Sequence, residues 1–159
     1  MSDAVSPIPA GYPTVIPYMC IKGAGEALEF YAKAFNAVET VRMPGPGGMV
    51  MHAEMKIGES VIMLSEENCE QGQKSPVTLG GSATHVFLYV PDVDASFAQA
   101  IAAGATAIMP PMNMFWGDRF GKLKDPYGHE WSMATHVEDV TPEEMGKRMA
   151  EMFAGAPPA

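Results

Sequence analysis

The sequence predicts an α+β protein: two tandem β-α-β-β-β modules forming a curved, cup-shaped mixed sheet, plus a C-terminal helix. Three observations carry this. Apolar periodicity runs strand, helix, strand, strand, strand over residues 13–65 and again over 84–136. The first helix runs out into FNAVETVRMP and the second into AGATAIMPP, so the same strand follows the same helix in both halves. A polar, Gly-rich stretch at 66–83, EENCEQGQKSPVTLGGSA, separates the two as a linker loop. Neither half closes a core alone, so their sheets should pack together.

Residues 1–12 are rich in Pro, Gly and Ser and read as a flexible arm. TVIPYMCI, 14–21, is a strand in which Pro17 demands an edge position or a bulge. GEALEFYAKAF, 25–35, is a helix with Leu28, Tyr31 and Phe35 on one face. Strands at 38–43, 49–57 and 60–65 follow, with PGPGG at 44–48 and Gly58-Glu59 as turns. In the second half, HVFLYV at 85–90 is a strand and Asp92 an N-cap. Val93, Phe97 and Ile101 form the stripe of a helix that ends at Gly104. A strand at 106–109 is expected to break at Pro110-Pro111. Strand-like residues 112–124 are interrupted by Gly117 and Gly121, Asp125-Pro-Tyr-Gly is a turn, and 130–135 is the last strand. Residues 137–159 hold a C-terminal helix and tail. Thr141-Pro-Glu-Glu is a capping box with Pro at the first helical position. The apolar face of that helix, Met145, Met149 and Met152, docks either on the body of the domain or on a second subunit.

The composition narrows the function classes. At 159 residues and 17.0 kDa the chain makes one domain of ordinary size. Being 47% hydrophobic and 18% charged, it is not a disordered chain. No apolar run reaches the ~18–20 residues of a membrane span. MSDAVSPIPAGYP lacks the basic and apolar regions of a signal peptide, so a cytoplasmic location is expected. Nineteen acidic residues against ten basic, a net charge of -9, argue against nucleic-acid binding, which needs clustered Lys and Arg. Cys20 and Cys69 read as reduced thiols. Most of the 14 methionines read as core packing, although methionine also suits adaptable ligand cavities.

The tandem modules resemble the vicinal oxygen chelate superfamily of glyoxalases, bleomycin- and fosfomycin-resistance proteins and extradiol dioxygenases. The local motifs IPYMCIKGAGEALEFYAKAF, MHAEMKIGESVIMLS and FWGDRFGKLKDPYGHEW are similar to its PhnB-like branch, over roughly residues 13–153. An old label links some relatives to ubiquinone methylation. Here no Gly-rich loop joins a strand to a helix to hold a nucleotide-like cofactor.

The resemblance implies a divalent metal held by a His or Gln on the first strand and a Glu on the last strand of each module. Imidazole and carboxylate with open water positions would let that metal polarise a carbonyl or enediolate oxygen. Carried onto this chain, the four positions are Ile16, Met63, His85 and Ser132, and only His85 matches. No tightly bound cofactor is therefore expected. The alternative is a divalent metal in a centre rebuilt from His52, Glu54, His85 and Glu130. His52 and Glu54 share a strand face, and so do Glu130 and Ser132. His129 and Trp131 take the opposite face, with Trp131 in the core, and His136 is assigned no role. Phe115, Trp116 and Arg119 offer a stacking surface and a fixed cation for a planar or anionic molecule. Alternatively, Trp116 plugs the cup and Arg119 pairs with Asp118 or Asp125.

The reading is a cytoplasmic, homodimeric protein that binds a small molecule, with a degraded metal site. Tyr18, His52, Glu54, Phe115, Trp116, Arg119 and Ser132 are its candidate ligand-binding residues. The alternative is a glyoxalase-like, metal-dependent lyase or isomerase acting on a small carbonyl or thiol adduct. His85 and Glu130 would then be its metal ligands or proton-transfer groups.

Overall fold

A computed structural model describes residues 5–154. Two four-stranded mixed sheets are each overlaid by one long helix. In the first, β1 (Tyr18–Ile21), α1 (Ala24–Phe35), β2 (Val38–Pro44), β3 (Val50–Ile57) and β4 (Ser60–Glu66) give the strand order β1-β4-β3-β2. A short helix, α2 (Pro76–Leu79), lies in the connection. In the second, β5 (His85–Tyr89), α3 (Val93–Ala103), β6 (Thr106–Asn113), β7 (Asp118–Lys124) and β8 (Glu130–His136) repeat that order as β5-β8-β7-β6. A last helix, α4 (Pro142–Phe153), follows. The first strand of each module runs parallel to the fourth, and the other pairings are antiparallel. Tyr18 pairs with Met63 in one module and Phe87 with Ser132 in the other.

Helix α1 forms because Ala27, Leu28, Tyr31, Ala34 and Phe35 recur at helical spacing and are all buried. Asn36 ends it in the left-handed conformation. Helix α3 starts on Asp92, whose carboxylate accepts the N–H of Ala95, and stops at Gly104. The two helices lie together, and the Gln99 amide donates to Lys33 O and Asn36 Oδ1 across the join. Tyr31 and Phe35 pack on Trp131 of β8, with ring centroids 5.3 and 4.4 Å apart. One apolar core therefore spans both modules, and Trp131 is fully buried in it.

Several local expectations are corrected. The first strand begins at Tyr18 instead of residue 14, because Pro13 and Pro17 bring no N–H to a ladder. Pro17 still contributes its carbonyl, which accepts the Met63 N–H at 2.9 Å. Pro110-Pro111 does not break the sixth strand. β6 is a sheet edge, where missing N–H groups are tolerated, and its register shifts between Met109 and Met112. Gly121 lies within β7, and a Cβ there would stand 3.2 Å from the Phe97 ring, so it lets α3 approach the sheet. The 66–83 connection is organised by Glu67, whose Oε2 accepts from Ser75 Oγ at 2.8 Å and Thr78 Oγ1 at 2.7 Å. Tyr12 of the arm donates to Glu54, and residues 1–4 of the arm lie outside the described residues.

Half of the predicted capping box is present. Thr141 Oγ1 accepts the Glu144 N–H, but the Glu144 side chain turns instead to Arg148, at 2.9 Å. No residue of α4 is buried. Arg148 ties it to Glu138 through two bonds of 2.7 and 2.8 Å, while Met149, Met152 and Phe153 stay exposed.

Candidate functional site

The face of each sheet turned away from the helices carries most of the candidate residues. Strand alternation sends Met19 and Ile21 into the core and leaves Tyr18 and Cys20 on the other side. In β5, Val86 and Leu88 pack against the core, while His85, Phe87 and Tyr89 are exposed on the opposite face. Between β1 and β5 lies a cleft of about 710 Å³ whose lining includes Tyr18, Cys20, His85, Phe87 and Glu130.

On the first module a hydrogen-bonded chain crosses this face. The Tyr12 hydroxyl donates to Glu54 Oε2 at 2.5 Å. Glu54 Oε1 lies 3.2 Å from His52 Nε2, and His52 Nδ1 lies 3.0 Å from the Tyr18 hydroxyl. Glu54 is buried. The Tyr12 hydrogen bond, reinforced by His52, holds its carboxyl below the usual range against the opposing effect of burial. The same bond pushes the Tyr12 phenol up. Ile8, Tyr12, Ile16, Glu54 and Met63 share a hollow of about 510 Å³.

On the second module the face is aromatic. Phe87 lies 5.0 Å from Tyr89 and 5.8 Å from Phe120, between ring centroids, and Trp116 stands 5.8 Å from Phe120. Phe115 packs edge-on to Trp116 at 5.0 Å. Asp118 anchors this wall. Its Oδ2 accepts from Tyr89 Oη at 2.9 Å and Trp116 Nε1 at 3.0 Å, and its Oδ1 lies 2.8 Å from His136 Nδ1. Burial raises the Asp118 carboxyl, but the bonds from His136, Tyr89 and Trp116 together hold it low. Asp139 and Asp118 push His136 up.

The structure brings Tyr18, His52 and Glu54 into one chain, and His85 and Glu130 into one cleft. Glu130 is already engaged, with Lys122 at 3.3 Å and Lys124 at 3.9 Å. Ser132 is fully buried and its hydroxyl has no partner among the described residues. Arg119 leaves the site, because it alternates with Asp118 and Phe120 and so reaches Asp94 in the first turn of α3, at 2.5 and 2.7 Å. Phe115 and Trp116 reach the rim of the aromatic wall and do not line the β1–β5 cleft. Sequence reasoning missed Tyr12, Phe87, Tyr89, Phe120 and Asp118. The alternation of HVFLYV already set Phe87 and Tyr89 on the face of His85, whereas Tyr12 sits in an arm without periodicity.

The donor set was tested against the metal that the fold family implies. Equal registers, Tyr18 with Met63 and Phe87 with Ser132, make Ile16 the counterpart of His85. Ile16 has no donor atom, and a thioether and a neutral hydroxyl are poor partners for a borderline divalent ion. Among the described residues no three His, Cys, Asp or Glu side chains converge at metal-binding spacing. The residues do not fit the metal.

Paired β-α-β-β-β modules with this cup-like face define the class. The chain belongs to the Glyoxalase/Bleomycin resistance protein/Dioxygenase superfamily, whose family model matches residues 18–133. It is 38% identical over 146 residues to an uncharacterized protein of Mycobacterium bovis, covering 90% of this chain and 96% of the relative. Among solved structures it is similar to TioX from Micromonospora sp. ML1, with 25% identity, TM-score 0.62 and coverage of 79% of this chain and 99% of that one. A PhnB protein from Bacillus cereus shares the fold at TM-score 0.61 and 19% identity, over 77% of this chain and 99% of that one.

Proposed function

We propose that this chain is a PhnB-like member of the superfamily that binds a small planar molecule in its cup without a metal. One observation carries the reading. Where the superfamily sets its metal ligands the chain has Ile16, Met63 and Ser132, and beside them stands a wall of Tyr89, Phe87, Phe120 and Trp116. Stacked and edge-on rings favour a flat apolar ligand. Lys122, on the strand next to Ser132, is the cation an acidic substituent would share with Glu130, which lies 3.3 Å from it. In this reading the protein works in the cytoplasm as a homodimer, and the uncovered Met149, Met152 and Phe153 of α4 support the dimer. The alternative, a glyoxalase-like lyase or isomerase, rests on His85 and Glu130 sharing the β1–β5 cleft.

The test is fluorescence titration with benzoate. Binding at the wall quenches Trp116, and the quenching disappears in Trp116→Phe, because Trp131 is fully buried. Quenching that persists in Trp116→Phe, or none in the wild type, overturns the reading.

A further inference from the structure

We propose that the Glu54 end of the cup is a subsite for a phenolic ring, and that Tyr12 occupies it as a displaceable stand-in for the ligand. The inference rests on the cup-binding reading and names the chemistry of one end of it.

Glu54 is a buried carboxylate on a central strand of its sheet, with its two oxygens used differently. One faces His52, two residues away on the same strand. Among the described residues the other is met only by the Tyr12 hydroxyl, which comes from outside the sheet. At 2.5 Å this is a charge-assisted hydrogen bond. Ile16 and Met63 line the same hollow and give a ring apolar contact. The seat thus offers one strong acceptor at the end of an apolar slot, which matches a phenol. It repels an aryl carboxylate through charge and leaves a plain arene unable to serve the carboxylate.

The arm that brings Tyr12 is built to leave. Pro7, Pro9, Pro13 and Pro17 remove backbone donors at intervals, so the arm cannot join the sheet as a strand. Among the described residues, the Tyr12 hydroxyl makes the only hydrogen bond between the arm and the sheet before Pro17. Ile8 and Val15 on either side are exposed. Lifting the arm breaks one bond and uncovers the Glu54 oxygen that Tyr12 had engaged, an acceptor that an incoming phenol can take up in its place.

The probe is p-cresol, with toluene as its hydroxyl-free counterpart. The readout is the Met63 methyl resonance, identified by its loss in Met63→Leu. Tyr12→Phe keeps the ring of the arm and removes only the competing donor. It should bind p-cresol at least about tenfold more tightly than wild type, the effect of losing one charge-assisted bond. Toluene should gain less, and Glu54→Gln should lose the preference for p-cresol. Equal p-cresol affinity in Tyr12→Phe and wild type, or an equal gain for toluene, overturns the proposal. The two readings fail differently. If the cup binds nothing, Trp116 fluorescence stays unchanged with benzoate. If only the stand-in proposal is wrong, Trp116 still responds while Tyr12→Phe leaves p-cresol binding at Met63 as in wild type.

Discussion

The Tyr31 hydroxyl donates to Asp125 Oδ2 at 2.7 Å, a buried bond that joins the helix of the first module to the last turn of the second. The same oxygen accepts Trp131 Nε1 at 2.9 Å, and Oδ1 accepts the N–H groups of Tyr127 and His129. Burial, with the Asp125 charge beside it, pushes the Tyr31 phenol well up, so it remains a donor. Tyr31→Phe should cost about 1.5–3 kcal/mol, the range for a hydrogen bond to a charged group. Asp125→Ala should cost more, because it orphans four donors. Urea unfolding of both variants checks the order, and a Tyr31→Phe loss equal to that of an exposed Tyr18→Phe control contradicts it.

Gly117 closes the turn before β7 at φ +97°, and its carbonyl accepts from Val137 and Glu138, each at 3.0 Å. A Cβ there would sit 2.1 Å from Glu138 O. Gly117→Ala should therefore destabilise by more than about 2 kcal/mol, through left-handed strain and backbone collision together. Gly47→Ala, also at positive φ but in open space, should cost less. Thermal unfolding of the pair separates strain from collision.

Two histidines should pull the pH dependence of stability in opposite directions. Burial depresses His129 below its ordinary 6.5, despite Asp125 nearby. Its contribution is present above pH 6.5 and is lost as pH falls through its depressed value. His136 is raised above 6.5 by Asp139 and Asp118. Its contribution is full below pH 6.5 and is lost as pH rises through its raised value. His129→Gln should lessen the stability lost toward pH 5, and His136→Gln should lessen the loss toward pH 8. Denaturation midpoints from pH 5 to 8 read both, and parallel curves for the two variants would refute the assignment.

Arg119→Ala should leave benzoate quenching of Trp116 unchanged, because Arg119 faces Asp94 on the helix side. Lys122→Ala should weaken it, because Lys122 stands on the cup side opposite Ser132. Weakening by Arg119→Ala alone would contradict this placement.

Elemental analysis of protein purified without chelator or affinity tag should find Zn and Ni well below one ion per chain, and His85→Ala should not change the content. Stoichiometric metal lost in His85→Ala would show that the Ile16, Met63 and Ser132 positions had been bypassed.

Much of the architecture was legible in the chain because it is local physics. Helical spacing of Leu28, Tyr31 and Phe35, the Asp92 cap and the alternation of HVFLYV act within a few residues, and the module repeat exposes them twice. The mismatch over Pro110-Pro111 arose because a proline's effect depends on whether its strand is an edge, and strand order is a long-range property. The site was legible only in part. His52 and Glu54 sit two apart on one strand, so their shared face follows from the pleat. Phe115, Trp116 and Arg119 are contiguous, yet the pleat sends Arg119 to α3 and the turn sends Trp116 to Asp118. Tyr12 is 42 residues from Glu54. Tyr31 is 94 residues from Asp125. No periodicity encodes such pairings. The sequence by itself determined the modules, their helices and the donor-poor residues Ile16, Met63 and Ser132. The tertiary structure alone decided which donors meet which buried carboxylates, because an unpaired buried charge is costly and only the packed chain brings its partner within reach.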